Sequence, residues 1–331
     1  MGEEEKEQIL KVLSGAVQRE TGAFNFYSRK GEDQTLPRSV RGLLSRLAEE
    51  ERRHRRLLLG EYMSVKKGWN EYEDHEKGKT ISFSIPDELT LTPLDVSNDL
   101  ESAAVSLPSR LVGGDNVLSF VLRGPGGRES ITVLLLYDVM GHSLETTEIN
   151  GMAARIVGEY GEMSGSSHVE AEQMSPKRLV DLLNKNIYEA YGGEGMFLTM
   201  ICVLFDLEKG SFTYTCAGHE PPFVVLDDGK AASLLNTQLI AGIDPEYPYR
   251  EHEVPFGSGD LLCIFSDGVI EAKNGEGAYF GREGVKKILE ENAGRSPREI
   301  IEAVLDGVGR FLGGRPLEDE VSIVVVQSKG D

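Results

Sequence analysis

ITVLLLYDVMGHS, running from Ile131 to Ser143, is a continuous apolar stretch that breaks abruptly at Asp, Gly and His. Such a run predicts a strand buried on both faces that delivers polar groups at its C-terminal end. Asp138 stands at that exit, where a rigid strand holds its carboxylate, and Gly141 permits the bend that brings His142 beside it. Working outward, short β-type runs recur at Ile81 to Ile85, Val117 to Leu122, Phe197 to Phe205, Ser211 to Cys216, Phe223 to Leu226, Leu261 to Phe265 and Val321 to Gln327. EKG at Glu208 to Gly210 and DDG at Asp227 to Gly229 read as hairpin turns, so pairing there is antiparallel. Amphipathic helices are expected at Thr147 to Glu159, Ser175 to Tyr191, Glu283 to Glu291 and Pro297 to Leu312. Strands and helices are grouped rather than strictly alternating, which favours an α+β sandwich over a doubly wound sheet.

Four segments interrupt apolar strands with aspartate: VGGD ending at Asp115, YDVMGH around Asp138, FSDGVIEA around Asp267 and LEDEVSIVVV around Asp319. If the strands are neighbours, their carboxylates meet at one edge of the sandwich. Clustered carboxylates repel one another unless a cation neutralises them. Strand ends poor in His and Cys do not suit zinc, so Mg²⁺ or Mn²⁺ is implied. No glycine-rich phosphate loop follows any strand, which removes nucleotide-binding readings.

The chain has 331 residues, 40% of them hydrophobic, enough for a substantial core. Its net charge of -20 argues against nucleic acid or an anionic membrane surface as a partner. That charge is unevenly spread: residues 1–79 hold 16 basic and 15 acidic side chains, leaving 19 and 40 for residues 80–331. Two domains of different character follow, with a boundary near residue 78: 1–78 helical, 79–331 mixed. No signal peptide or bilayer-length apolar run is legible, so a cytoplasmic location is expected. Cys202, Cys216 and Cys263 sit inside apolar segments without CxxC spacing and read as inert core residues.

Residues 4–30 and 37–67 carry helical apolar periods, Ile9, Val12, Leu13, Ala16, Ala23, Phe24 and Tyr27 in the first and Val40, Leu43, Leu44 and Leu47 in the second. With the loop GEDQTLP between them they form a helical hairpin. Glu20 falls on the first helix; Glu51 and His54 stand three apart on one face of the second. A Glu from one helix and Glu-x-x-His from another are half of a di-iron carboxylate ligand set, so the hairpin resembles half of a rubrerythrin or ferritin-like domain. That resemblance implies iron held by Glu20, Glu51 and His54, with a homodimer pairing two hairpins. The same EEERRHRR composition also suits a solvated face, and dimerisation through the apolar stripe needs no metal.

The ordered set VGGD, YDVMGHS, FLTMICVLFDLEKGSFTYTCAGHEPP, LLCIFSDGVIEAKN and EDEVSIVVV resembles the metal-dependent protein phosphatases of the PPM (PP2C) class, of the SpoIIE/RsbU type. It spans nearly all of residues 80–331. The resemblance implies a β-sandwich with helices outside each sheet and hydrolysis of phosphoserine or phosphothreonine on a protein, an anti-sigma-factor antagonist of the STAS type among the candidate substrates. It implies that Asp138 bridges two Mn²⁺ or Mg²⁺ ions with the Val139 carbonyl, that Asp267 and Asp319 supply the other carboxylates, and that Asp115 is a ligand or an outer acceptor. A water between the metals then attacks phosphorus directly. His142 and His219 are the polar groups nearest these motifs, read as proton carriers or as hydrogen-bonders at turns. Four positions depart from the family pattern: Leu118 where a second aspartate is common, Met140 and Ser143 flanking the Gly-His pair, and Glu320 in place of the last aspartate. By the same resemblance the helical hairpin regulates the phosphatase domain; the alternatives are an inactive phosphatase-like signalling or binding module, and a di-iron ferritin-like sensor or oxidoreductase acting through Glu20, Glu51 and His54.

Overall fold

The computed structural model describes residues 3–67, 89–107, 114–123, 129–140, 144–165, 174–192 and 196–329. The expected strand at Ile81 to Ile85, the boundary near residue 78 and His142 lie outside the described residues. Two long antiparallel helices come first, α1 (Glu3–Gly31) and α2 (Arg38–Lys67). The rest is β1 (Leu100–Leu107), β2 (Asp115–Arg123), β3 (Glu129–Val139), α3 (Leu144–Gly165), α4 (Pro176–Tyr191), β4 (Leu198–Asp206), β5 (Ser211–Ala217), β6 (Phe223–Val225), β7 (Ala231–Ser233), β8 (Thr237–Gln238), β9 (His252–Pro255), β10 (Leu261–Phe265), α5 (Asp267–Glu271), α6 (Gly281–Glu291), α7 (Pro297–Leu312) and β11 (Val321–Ser328).

The strands form two sheets, ordered β1-β11-β10-β6-β7 and β2-β3-β4-β5-β8, with β9 added beside β5. β3 shows why its sequence is an unbroken apolar run. Leu134 and Leu136 point into the layer between the sheets, against Ile201, Val203, Leu262 and Val324. Val133, Leu135 and Tyr137 point outward and are covered by Ile149, Ile156, Leu179 and Leu183 of α3 and α4. Successive side chains of a strand face opposite ways, so burial of both faces demands apolar residues at every position. On the other sheet α6 and α7 cover Ile323 and Val325 in the same manner. Four layers result, helices outside each sheet.

Local chemistry places the ends of these elements. Ser296 and Glu299 form a reciprocal capping box at the start of α7, Pro297 takes the first turn, and Gly313 closes the helix in the left-handed region. Both expected hairpins are present, β4–β5 and β6–β7, turning at Gly210 and Gly229, which have φ of 64° and 75°. Three strands and one helix were not anticipated, β1, β8, β9 and α5, and β7 was implied only by the turn at Asp227 to Gly229. β1 reads LESAAVSL, whose Ala, Ser and Glu have low strand propensity; its pairing with β11 along its whole length overrides that preference. The others run five residues or fewer, too short to show a period.

The hairpin differs from expectation in which side it buries. Ile9, Val12, Val40 and Leu43 are exposed, together with Phe26 and Leu57. The buried face of α2 is instead Ala48, Arg52, Arg55, Leu59 and Tyr62, a helical repeat with two arginines in its centre. Val17, Leu59 and Tyr62 join the apolar cluster on the outer face of the β2–β3–β4 sheet, and Asn25 and Arg29 bond to the carbonyls of Thr237 and Leu235 at 2.9 and 3.1 Å. The helices therefore sit on the sandwich. Among the described residues no helix is long and apolar enough to cross a membrane.

Candidate active site

The carboxylates of the strand ends meet at one edge of the sandwich. Asp115, the first residue of β2, is paired in register with Asp138 near the end of β3. In an antiparallel ladder such partners project on the same face. The Asp115 N–H donates to Glu320 Oε2 at 3.0 Å, which ties β2 to the turn before β11. Ser266 joins that turn to α5: its hydroxyl donates to the Glu320 carbonyl at 3.1 Å and accepts from the Ser322 N–H at 2.9 Å. Asp267 thus opens α5 directly above Asp319 and Glu320, where Gly268 is so close to the Glu320 carbonyl that any Cβ would collide with it.

The electrostatics follow from this convergence. Burial, with repulsion from Asp115, Asp267, Asp319 and Glu320, pushes the Asp138 carboxyl well above the usual carboxylate range. Asp115 is pushed the same way, first by burial and then by Asp267 and Glu320, although the hydroxyls of Ser322 and Ser266 favour its charged form. Asp115 Oδ2 and Glu320 Oε1 are buried without hydrogen-bond partners. A Cβ on Gly114 would strike both Asp138 Oδ1 and the Val139 carbonyl oxygen, so those two oxygens border the same small space. Buried oxygen donors that repel one another, with unsatisfied lone pairs and a glycine-lined gap beside them, fit hard divalent cations.

Of the residues singled out in the sequence, Asp115, Asp138, Val139, Asp267 and Asp319 all lie around this edge. Their roles differ in exposure. Asp319 is exposed, its Oδ1 accepting the Glu320 N–H at 2.8 Å, while Glu320 is only 5% exposed and faces Asp115. Glu320, set aside as a departure from the family pattern, is the more deeply placed of the two acids. His219 is buried, with Nδ1 2.9 Å from Thr199 Oγ1; burial depresses its pKa to about 4, so it is neutral. That is the state of a hydrogen-bonding residue at a turn rather than of a proton donor.

Behind the acids lies a layer that sequence reasoning missed. Glu220, 4% exposed, is ringed by Arg52, Arg55 and Arg282, at 4.0, 3.9 and 3.5 Å respectively. Although burial alone would raise its pKa, Arg52, Arg282 and Arg55 hold it below the usual range. Arg52 also approaches Glu271 Oε1 at 3.6 Å and pairs with Glu49. Arg52, Arg55 and Leu59 of the hairpin line one cavity, about 80 Å³, together with Asp138, Asp267, Glu271 and His219. The only signal available beforehand was the spacing of Arg52 and Arg55, one helical turn apart on the stripe between Ala48 and Leu59.

The hairpin trio also comes together. His54 Nδ1 lies 3.4 Å from Glu51 Oε2 and 3.8 Å from Glu20 Oε2, and the ligand atoms of all three are within 4.8 Å of one another. A hydrogen bond from Glu51, then burial, raise the pKa of Glu20.

The family model described as Stage II sporulation protein E (SpoIIE) matches residues 129–329. The phosphoserine phosphatase RsbU of Bacillus subtilis (strain 168) is 25% identical over 269 residues, 78% of this chain and 75% of the relative. Among solved structures, the SiaA-PP2C domain of Pseudomonas aeruginosa superposes with a TM-score of 0.57 at 18% identity, covering 68% of this chain and 85% of that one. The PP2C phosphatase domain with a regulatory-domain fragment of SpoIIE from Bacillus subtilis gives 0.56 at 20% identity, covering 70% and 64%. These structures share the fold, helices packed outside two sheets. The family match starts at the first residue of β3 and runs through β11, leaving the helical hairpin outside it, and by that match the chain belongs to the SpoIIE family.

Proposed function

We propose that the chain is a metal-dependent phosphatase that hydrolyses phosphoserine or phosphothreonine on a protein; its relative RsbU is named a phosphoserine phosphatase. The observation that carries the reading is the convergence of Asp115, Asp138, Asp267, Asp319 and Glu320 at the end of the sandwich. Asp138, the Val139 carbonyl, Asp267 and Asp319 would hold two Mg²⁺ or Mn²⁺ ions, with Asp115 as a further ligand or an outer acceptor. When bound, the ions supply charge neutralisation and an activated water. Phosphorus gains the water's oxygen, its bond to the seryl oxygen breaks, and that oxygen leaves with a proton. Neutral His219 orients the turn beside Asp138 through Thr199 and carries no proton in this scheme.

Substrate and control are finer proposals. A phosphorylated anti-sigma-factor antagonist of the STAS type is the substrate that family resemblance suggests, and the hairpin, seated on the site, regulates turnover. Ile9, Val12 and Phe26 of α1 and Val40, Leu43 and Leu57 of α2 are exposed apolar residues, several spaced by multiples of seven. That spacing suits a seam between two copies. We assign a homodimer to it; Val12→Lys with Leu57→Lys should then sediment as a monomer, and an unchanged sedimentation coefficient rejects the seam. A second reading concerns Glu20, Glu51 and His54, whose mutual approach favours a divalent transition metal such as iron. Iron content of aerobically purified protein with and without His54→Ala decides it, equal content being the negative result.

The primary test is hydrolysis of p-nitrophenyl phosphate by the full chain with Mn²⁺, with Mg²⁺ and with chelator. Metal-dependent turnover is expected; the same rate in chelator rejects the metal-dependent mechanism, and no turnover under any condition leaves only a phosphatase-like binding module.

A further inference from the structure

We propose that Arg52, carried by the N-terminal hairpin, binds the phosphoryl group of the substrate, so that the hairpin completes a catalytic centre otherwise built by the sandwich. The inference rests on the phosphatase reading above and adds to it a residue from outside the matched family region, which begins at residue 129.

Arg52 is 3% exposed and lines the same cavity as Asp138 and Asp267. Its placement is not that of a closed structural ion pair. Nη2 is taken by Glu49, but Nη1 stands 3.6 Å from Glu271 Oε1 and 4.0 Å from Glu220 Oε1, beyond hydrogen-bonding reach of either. Nε and Nη1 are both buried without a hydrogen-bond partner. A buried cationic donor normally finds acceptors, because leaving it unsatisfied sacrifices its hydration for nothing. Arg52, with these unmet donors, lines a cavity of about 80 Å³, several times the roughly 10–15 Å³ that one water requires.

The position along the chain is equally specific. Glu271 ends the short helix that Asp267 begins, so the guanidinium hangs one helical turn from an acid assigned to the metals. Asp267 is among the charges that stabilise the Arg52 cation. An anion gripped by ions at Asp138 and Asp267 would reach the cavity wall at Arg52. A phosphoryl group brings several oxygens in a tetrahedral array, and a planar guanidinium matches such oxygens better than an ammonium does. Arg55 is a poorer candidate, since its guanidinium lies over the Phe24 ring and none of its nitrogens is among the buried donors without a partner. The firm seating of the hairpin, with Val17, Leu59 and Tyr62 in the outer core, agrees with a permanent wall of the site rather than a detachable plug.

The test uses the full chain loaded with Mn²⁺, as wild type, Arg52→Lys and Arg52→Gln. Inorganic phosphate is titrated by calorimetry, and KM and kcat are measured on p-nitrophenyl phosphate. Arg52→Gln should weaken phosphate binding roughly 10- to 100-fold, as expected for losing charge-assisted hydrogen bonds. Arg52→Lys, which keeps the charge and loses the fork, should fall between, and KM should rise in the same order. Circular dichroism melts confirm folding; if Arg52→Gln does not fold, Arg52→Lys carries the measurement. Phosphate affinity equal to wild type in a folded variant overturns the proposal, and so does a kcat that rises, because the arginine would then be obstructing the site. Wild type that hydrolyses the ester yet shows no phosphate binding overturns this inference alone; wild type inactive with either metal overturns the phosphatase reading as well.

Discussion

At the edge where β2, β3 and β11 end, carboxylates are buried beside other carboxylates, whereas in the adjoining seam a single carboxylate, Glu220, is buried beside three arginines. Both places hold charge away from water, and they resolve the penalty in opposite ways. Asp115 and Asp138 are driven toward the protonated form and retain unsatisfied oxygens nearby, so that edge is incomplete until cations arrive. Glu220 is driven toward the ionised form by Arg52, Arg282 and Arg55, so the seam is largely complete without any ligand. Side chains that do not satisfy one another mark where chemistry is to be done; side chains that do mark how the hairpin is held. Arg52 belongs partly to each, which is why it is the residue to test at their junction.

The contrast can be broken most decisively at Asp138. Asp138→Asn should reduce Mn²⁺-dependent turnover on the order of 10³-fold, the scale seen when a preorganised electrostatic group is removed. In chelator the same variant should melt at a temperature no lower than wild type, since it deletes one of several mutually repelling buried charges. A variant with normal turnover would dissolve the distinction between the two regions.

The seam should respond in the opposite sense. Glu220→Ala strips the central counter-ion from Arg52, Arg55 and Arg282, and denaturant titration should show a loss of about 3–5 kcal/mol, typical of breaking a buried ion pair on one side. Unchanged stability would mean the arginines are satisfied elsewhere.

A smaller effect separates the regions by pH. His219 has its pKa lowered to about 4 from 6.5, chiefly by burial, so below pH 6.5 the unfolded chain takes up a proton that the folded chain refuses. Stability from this group is therefore intact above pH 6.5, declines as pH falls toward 4 and declines no further below it. The decline amounts to ~3 kcal/mol at ~1.4 kcal/mol per pKa unit. Subtracting the stability of His219→Asn from that of wild type across pH 4–7 should isolate this slope; a flat difference would show that the imidazole titrates in the fold as it does in the unfolded chain.

Much of the sandwich was legible because its signals are local. β3, β4, β10 and β11 are long or wholly buried apolar runs, α4 and α7 carry Ser caps with Pro in the first turn, and two hairpins announce themselves by glycine. β1 was illegible because its Ala and Ser residues suit a strand only once β11 lies alongside. In the site, the aspartates at Asp115, Asp138, Asp267 and Asp319 could be read from their places at strand ends. The relative depth of Asp319 and Glu320 could not, since it depends on the hydrogen bond that Glu320 makes to Asp115, some 205 residues away.

The amino-acid order by itself determined the longer strands and helices and that several carboxylates terminate apolar strands, because a repeat of two or of 3.6 residues is a property of neighbours along the chain. Only the tertiary structure decided that the arginine-bearing face of α2 turns inward while Val40 and Leu43 remain outside. A charged stripe is ordinarily the solvated one; here Glu220 and Glu271, brought from far along the chain, make it cheaper to bury than the apolar stripe beside it. The energy of a buried ion depends on partners that no local pattern contains, and so the wall of the site could be found only once the fold had assembled it.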